Sequence, residues 1–289
     1  MKDGSVTINQ AKYIGELIKK HGLWDANSAA TPVSPSCELK PYDLMPKTEK
    51  GIGDFDYRSV IGGLLYAVKT RPDIYYAVNV LSRYCNKPHP EHVTQVKRIL
   101  RYLRGTLHLG LGWKRTGEYK PRMFVDANFA GYEAGDSKSR TSYIFMVNDG
   151  PIAALSKRQS VVALSTTEAE YIALSESIKE TLFCRQILAQ MGEYVPGITQ
   201  HEPTITYEDN EGAKLIANAD FYEKRSKHYR VRFDFVRDER RQGTITVQSI
   251  DTKDQIADIN TKALCEALFV QCRNSIMKDC KPSMDWDKK

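Results

Sequence analysis

The fold is decided by residues 122–171, which contain the segments RMFVDA (122–127), TSYIFMV (141–147), SVVAL (160–164) and STTEAEY (165–171). The first three segments are apolar and separated by polar residues, which predicts three strands joined by turns. The fourth begins a long helix, predicted from Thr166 to about Met191, in which Leu174, Ile178 and Leu182 recur at helical spacing. Three consecutive strands joined by turns predict that the sheet begins with antiparallel strands.

Downstream of this helix, strands and helices alternate. We predict a strand at 204–208, helices at 211–217 and 227–240, a strand at 244–250 and a final helix from Asp254 to about Met277. An antiparallel start followed by strand–helix units is typical of a mixed sheet with helices on its faces. The predicted fold class is therefore α/β, with a mixed five-stranded sheet and flanking helices.

Residues 1–115 are mainly helical in character. An extended connector is predicted at 25–55, and an amphipathic helix at 92–104 places Lys97, Arg101 and Arg104 on one face. Two interpretations of this stripe remain open, a solvated basic face or a surface that contacts nucleic-acid phosphates. Residues 1–120 carry 19 Lys and Arg against 11 Asp and Glu, which suits a region that holds a polyanion.

Composition excludes several classes of protein. The 289 residues are 41% hydrophobic and 27% charged, as in soluble globular proteins. No apolar run is long enough to span a membrane and the N-terminus lacks a secretory signal, so we expect an intracellular protein. The six cysteines form no C-x-x-C pair, which argues against a zinc cluster and against a disulfide framework.

Four acidic residues end strands or begin helices in this arrangement: Asp126, Glu168, Asp209 and Asp258. Strand ends and helix starts can converge on one crevice, where crowded carboxylates need cations between them. An all-oxygen ligand set suits Mg²⁺ or Mn²⁺ rather than zinc. Two such ions can activate a water and stabilise the leaving oxygen of a phosphodiester.

Each of these acids also has a purely structural interpretation. Asp126 and Asp209 match turn residues after strands, and Asp258 matches an acid at a helix N-terminus. Ser165 and Glu168 match a helix capping box. Only their combination, in this order on these elements, favours a metal centre.

The flanks of these acids resemble the ribonuclease H of copia-type LTR retrotransposons. The matching strings are FVDA (124–127), LSTTEAEY (164–171), YEDN (207–210), RSKH (225–228) and ADINTK (257–262). Upstream, the reverse-transcriptase tail of the same polyprotein is resembled by IGGLLY (61–66), TRPDI (70–74) and RILRYLRGT (98–106). The resemblance covers essentially the whole chain.

This resemblance implies a ribonuclease H-like domain at 120–280, preceded at 1–115 by a thumb- or connection-like region of a reverse transcriptase. The implied activity is cleavage of the RNA strand of an RNA–DNA hybrid with two Mg²⁺ or Mn²⁺ ions. The basic helix would grip this hybrid. The implied location is cytoplasmic, in a virus-like particle, or nuclear.

The resemblance also implies roles for single residues. Asp126 would bridge both ions, Glu168 would hold one ion near the ribose 2′-OH, and Asp209 and Asp258 would complete the coordination shells. His228 is a lesser candidate for product release or substrate contact, and a polar residue at a helix start is an equally good interpretation of it.

No Tyr-x-Asp-Asp polymerase motif occurs in the chain, so we expect no primer extension from it alone. Asp54 and Asp56 come closest, but they lie in a polar, glycine-containing run that predicts a connector. The remainder of the reverse transcriptase, or a second copy of the chain, would have to supply the polymerase palm.

Several positions depart from the family pattern: Asn128, Phe129, Ser142, Ala154, Arg230 and Asp234. A second hypothesis is therefore a catalytically silent nucleic-acid-binding fragment of a decayed or truncated element. A third, an integrase of the same superfamily, is disfavoured because Glu168 begins the first long helix rather than a late one.

Overall fold

The computed structural model describes residues 5–36, 39–46, 51–114, 119–131, 137–192, 202–220 and 230–280. The chain divides into two compact units. We call residues 5–112 and 262–280 the helical unit, and residues 113–131 and 137–261 the sheet unit.

The described residues contain eight α-helices and eight β-strands. The helices are α1 Ala11–Lys20, α2 Tyr57–Ala67, α3 Tyr75–Ser82, α4 Pro90–Gly105, α5 Thr166–Gly192, α6 Glu211–Asn218, α7 Arg230–Arg241 and α8 Glu266–Ile276. The strands are β1 Val6–Ile8, β2 Leu109–Trp113, β3 Pro121–Asn128, β4 Arg140–Val147, β5 Gly150–Arg158, β6 Thr204–Glu208, β7 Ile245–Ser249 and β8 Lys278–Asp279. Short 3-10 helices lie at Tyr42–Leu44, Pro72–Ile74, Thr252–Asp254 and Ile256–Asn260.

The helical unit combines α1–α4 and α8 with a small sheet in the order β1-β2-β8. β2 runs antiparallel to β8, with Leu109 opposite Asp279. Asp56 caps α2 by accepting a hydrogen bond from the backbone N–H of Ser59 at 3.1 Å. This acid, considered above as the nearest approach to a polymerase site, therefore has a local structural role.

Arg71 lies at the centre of a buried polar network in this unit. The Arg71 guanidinium is 0% exposed and binds both carboxylate oxygens of Asp73, at 2.9 and 2.7 Å. It also donates to the carbonyl and the hydroxyl of Thr106, at 3.0 and 2.7 Å. The Tyr102 hydroxyl completes the network by donating to Asp73 at 2.6 Å. The TRPDI and RILRYLRGT strings thus meet in three dimensions as a structural ion pair and its hydrogen-bond partners.

His92 of α4 is buried and neutral. Its Nδ1 accepts a hydrogen bond from the backbone N–H of His89 at 3.0 Å, so Nε2 carries the proton and donates to the carbonyl of Lys40 at 2.8 Å. The ring stacks on Tyr84, with the ring centroids 3.9 Å apart. Burial lowers the pKa of His92 to about 4.

We expect the free energy of unfolding to fall as the pH is lowered from about 6.5 towards 4. A histidine in the unfolded chain titrates at pH ~6.5, so in this window the unfolded state binds more protons than the folded state does. Protonation of His92 at Nδ1 would also break its hydrogen bond from His89. Urea unfolding at about pH 7 and about pH 5 measures the loss. His92→Gln should reduce this pH dependence, and an unchanged dependence would assign the titration to another group.

The sheet unit contains five strands in the order β5-β4-β3-β6-β7. β4 runs antiparallel to β3 and to β5, whereas β6 runs parallel to β3 and to β7. α5 packs on β3 and β4, and its residues Ile172, Leu174 and Ile178 share a core with Val125 and with Val247 of β7. The predicted α/β class and mixed five-stranded sheet are confirmed, and the arrangement is compatible with a ribonuclease H-like fold.

The third strand of this sheet differs from the prediction of 160–164. It is β5, Gly150–Arg158, because Asn148 takes a left-handed φ of 55° and turns β4 directly into β5, with Val147 opposite Gly150. Asparagine tolerates this conformation, which tight hairpin turns require. The apolar residues after the strand are largely exposed, and Leu164 is 77% exposed.

The predicted final helix from Asp254 to about Met277 is wrong as one continuous element. Residues 252–260 form two 3-10 helices in the sheet unit, and α8 begins only at Glu266. The boundaries between the two compact units lie near Trp113 and at Lys262, so α8 and β8 belong to the helical unit. The assignment of 1–115 and 120–280 as functional domains stays a prediction. Among the helices described, none combines the length and the apolar composition needed to cross a lipid bilayer.

Candidate metal centre

Three carboxylates meet where β3, β6 and α5 come together. Asp126 lies in β3, Glu170 in the second turn of α5, and Asp209 directly after β6. One oxygen of each carboxylate lies within 4.8 Å of an oxygen of the other two. Asp126 and Glu170 are 4% and 7% exposed, and Asp209 is half-buried. We call these three residues the carboxylate cluster.

Strand register brings the two aspartates together. β3 and β6 are parallel neighbours, with Phe124 beside Tyr207 and their ring centroids 4.9 Å apart. Two residues further along each strand come Asp126 and Asp209. Since parallel strands end at the same edge of a sheet, these two side chains must lie close together.

Close packing of α6 against α5 brings Glu170, the third acid, near Asp209. A Cβ atom on Gly212 would lie 2.9 Å from the Thr167 hydroxyl, so only glycine allows the first turn of α6 to approach α5 this closely. Asn210 caps α6 by accepting a hydrogen bond from the backbone N–H of Ala213 at 2.9 Å. Asp209 is thereby held between a strand end and a helix start, beside the N-terminal turns of α5.

Burial and mutual repulsion dominate the electrostatics of the cluster. The pKa of Glu170 is raised well above its usual range by burial and by the charges of Asp126, Glu208 and Asp209, against a hydrogen bond from the backbone of Ala127. Glu208 is 1% exposed, and burial likewise raises its pKa, together with the charges of Asp209 and Asp126. Its backbone hydrogen bond from Asn210, at 3.0 Å, opposes this shift.

The cluster fits a hard divalent cation. Oε2 of Glu170 is buried and has no hydrogen-bond partner among the described residues. Every ligand in this group is a carboxylate oxygen, with no cysteine or histidine among them. Such a set suits Mg²⁺ or Mn²⁺, and a bound cation would relieve the repulsion that raises the pKa of Glu170.

Relatives of this chain are found among transposon polyproteins. It is 34% identical, over 91% of its length, to the Retrovirus-related Pol polyprotein from transposon RE1 of Arabidopsis thaliana. It is 35% identical, over 93% of its length, to that from transposon TNT 1-94 of Nicotiana tabacum. The corresponding protein from transposon RE2 of Arabidopsis thaliana is 32% identical over 91% of the chain.

The chain belongs to the Pol polyproteins of copia-type retrotransposons. It spans 17% to 20% of the length of these relatives. No protein-family model matches the chain.

In this Pol segment, Glu168 and Glu170 have different positions. The Glu168 carboxylate accepts a hydrogen bond from the backbone N–H of Leu164, and the Ser165 hydroxyl accepts one from the backbone N–H of Glu168 at 3.1 Å. The bond between Glu168 and the Ser165 hydroxyl is one of the two that a capping box predicts, so Glu168 has a structural role at the start of α5, and the structure brings Glu170 to the cluster instead. The sequence held a signal for Glu170, because it continues the stripe of Leu174 and Ile178 by one helical turn towards the N-terminus.

Asp258 lies beside the cluster rather than in it. It is 1% exposed on the 3-10 helix Ile256–Asn260, and two hydrogen bonds tie that segment to β3 and β5. Thr261, at the end of the segment, contacts Asp126 directly. His228 lies outside the described residues, so its predicted role stays a prediction.

The basic stripe on α4 is partly engaged within the helical unit. Arg101 Nε donates to the carbonyl of Asn27 at 2.6 Å, and Arg104 Nε donates to the carbonyl of Trp24. The Lys97 ammonium lies 5.3 Å from the ring centroid of Phe55. Two of the three predicted nucleic-acid-binding residues thus hold a loop of their own unit. Their contact with phosphates stays a prediction.

Proposed function

We propose that this Pol segment is a metal-dependent ribonuclease H that cuts the RNA strand of RNA–DNA hybrids. The observation that carries the proposal is the carboxylate cluster of Asp126, Glu170 and Asp209, formed on a mixed sheet in the order β5-β4-β3-β6-β7. Membership of the copia-type Pol family supports it, because hybrid cleavage is an activity that the family resemblance implies.

The three residues of the cluster would hold two Mg²⁺ or Mn²⁺ ions, with Asp258 close by. When bound, such ions supply an activated water and stabilise the oxygen that leaves the phosphodiester. The protein contributes carboxylates that are fixed at the ends of two neighbouring strands. Their surroundings are largely buried, so their charges are poorly screened. Glu170 replaces Glu168 as the proposed ligand from α5.

The hybrid itself is the proposed partner of this segment. Lys97 is exposed at the start of the basic stripe, where its ammonium lies over the Phe55 ring. We propose that it and the outer nitrogens of Arg101 and Arg104 contact phosphates of the hybrid. Primer extension would require a polymerase palm supplied by another part of the Pol polyprotein or by a second copy.

A hybrid-cleavage assay tests this proposal. Purified protein is incubated with an RNA–DNA hybrid, double-stranded DNA or double-stranded RNA, with Mg²⁺, Mn²⁺ or EDTA. We expect cleavage of the hybrid's RNA strand alone, in either metal and not in EDTA. Hybrid binding without cleavage in either metal would instead favour the silent nucleic-acid-binding fragment.

A further inference from the structure

The segment that follows β7 is tied to the sheet on both sides of its second 3-10 helix. Before the helix, the Gln255 side-chain amide donates to the carbonyl of Val125 at 2.8 Å. At its end, the Ser156 hydroxyl donates to the carbonyl of Asn260 at 2.6 Å. Gln255, Asn260 and Ser156 are each at most 1% exposed. The segment is therefore a fixed part of the sheet unit, next to the strand that carries Asp126.

Thr261 ends this segment with its hydroxyl directed at the cluster. It is 0% exposed, and its Oγ1 lies 2.5 Å from Oδ2 of Asp126 and 3.2 Å from the carbonyl oxygen of Asp258. A hydroxyl has only one hydrogen to donate. The nearer, charged acceptor takes it, since hydrogen bonds to ionised oxygens are shorter and stronger than those to neutral ones. Thr261 therefore donates to Asp126.

We propose that Thr261 is a positioning residue of the metal centre, which holds the Asp126 carboxylate in the orientation that meets Glu170 and Asp209. The inference rests on the proposed function, because it takes the carboxylate cluster as a cation site. A donor fixed at one carboxylate oxygen restricts rotation of the group. Partners of this kind set the geometry, and so the affinity, of metal ligands.

The same segment also donates a hydrogen bond to Asp209, the second aspartate of the cluster. The Thr252 hydroxyl donates to Oδ2 of Asp209 at 2.9 Å, but this hydrogen bond is exposed to solvent. Water can replace an exposed donor, whereas nothing replaces a donor that is lost from a buried site. Thr261 therefore has the larger effect of the two.

Binding of Mn²⁺ alone, measured by titration calorimetry in the absence of nucleic acid, tests the role of Thr261. Thr261→Val keeps the side-chain shape but removes the donor, and we expect it to weaken Mn²⁺ binding by about 10- to 100-fold. Thr261→Ser keeps the hydroxyl and should restore the affinity to near that of the wild type. The matched control is Thr206→Val in β6, which removes an equally buried hydroxyl with no hydrogen-bond partner among the described residues. It should bind Mn²⁺ as the wild type does.

The outcomes separate this inference from the proposed function. Wild-type affinity in Thr261→Val, equal losses in the Val and Ser variants, or no Mn²⁺ binding by the wild type would each overturn the positioning role. Mn²⁺ binding that depends on Thr261 without any hybrid cleavage would overturn the ribonuclease instead. If Thr261→Val does not fold, the Thr261→Ser variant decides the question. Mn²⁺ affinity near that of the wild type supports the positioning role. A loss of Mn²⁺ affinity as large as that of Asp126→Asn refutes it.

Discussion

Replacing Glu170 by Gln is expected to lower the rate of hybrid cleavage by more than about 100-fold, because the loss of a residue that only supports a metal ligand already costs about 10- to 100-fold. Gln has nearly the same shape but lacks the charge that holds a cation. The same loss is expected for Asp126→Asn and Asp209→Asn. Initial rates with saturating Mg²⁺ measure the effect, and urea unfolding checks that the fold is intact.

The matched control for this prediction lies two residues away. Glu168→Gln makes the same chemical change on the same helix, yet a Gln oxygen can still accept the hydrogen bond from the backbone of Leu164. We expect it to retain most of the activity and to lose less than about 1 kcal/mol of stability. If Glu168→Gln were inactive and Glu170→Gln active, the ligand from α5 would be Glu168, and the cluster as described would not be the metal site.

Arg71→Met is expected to lower the free energy of unfolding by about 3–5 kcal/mol, since removing one partner of a buried ion pair leaves the other charge buried without it. In the variant, Asp73 would keep the hydrogen bond from the Tyr102 hydroxyl and lose both hydrogen bonds from the guanidinium. Thr106 would lose the two hydrogen bonds that it accepts from Arg71 as well. Urea denaturation, followed by tryptophan fluorescence, measures the change.

Lys87→Met provides the comparison for Arg71→Met. Lys87 pairs with Asp43 at 2.5 Å, but the two side chains are 60% and 74% exposed. Exposed pairs contribute about 0–1 kcal/mol, so we expect a correspondingly small change. An equal loss in the free energy of unfolding in the two variants would show that burial does not determine how much the Arg71 ion pair contributes to stability.

Local sequence patterns were sufficient to predict most of the sheet and two residues of the cluster. Alternating and helical periodicities report on the environment of neighbouring residues, and they predicted β3, β4, β6, β7 and the start of α5. Asp126 and Asp209 were predicted as ligands because both end strands. Glu170 was missed although its spacing from Leu174 places it on the sheet-facing side of α5, because Glu168 lies in the first turn of the helix, where acids were expected to converge with the strand ends.

Other features could not be predicted because they depend on contacts between distant parts of the chain. The apolar run at 160–164 has the composition of a strand, but the turn at Asn148 pairs β4 with the nearer residues 150–158. Arg101 and Arg104 look like a free basic stripe until the loop that contains Trp24 and Asn27 is placed beside α4.

The sequence alone determined the fold class, the kinship with copia-type Pol polyproteins and an acidic, oxygen-only ligand set. These depend on residue type and short-range spacing, which the order of the amino acids contains directly. The tertiary structure alone decided which acids meet, that Arg71 and Thr106 share one buried network, and that Thr261 reaches Asp126 across 135 residues. Such contacts are set by strand register and by packing around a shared core, and no local pattern along the chain specifies them.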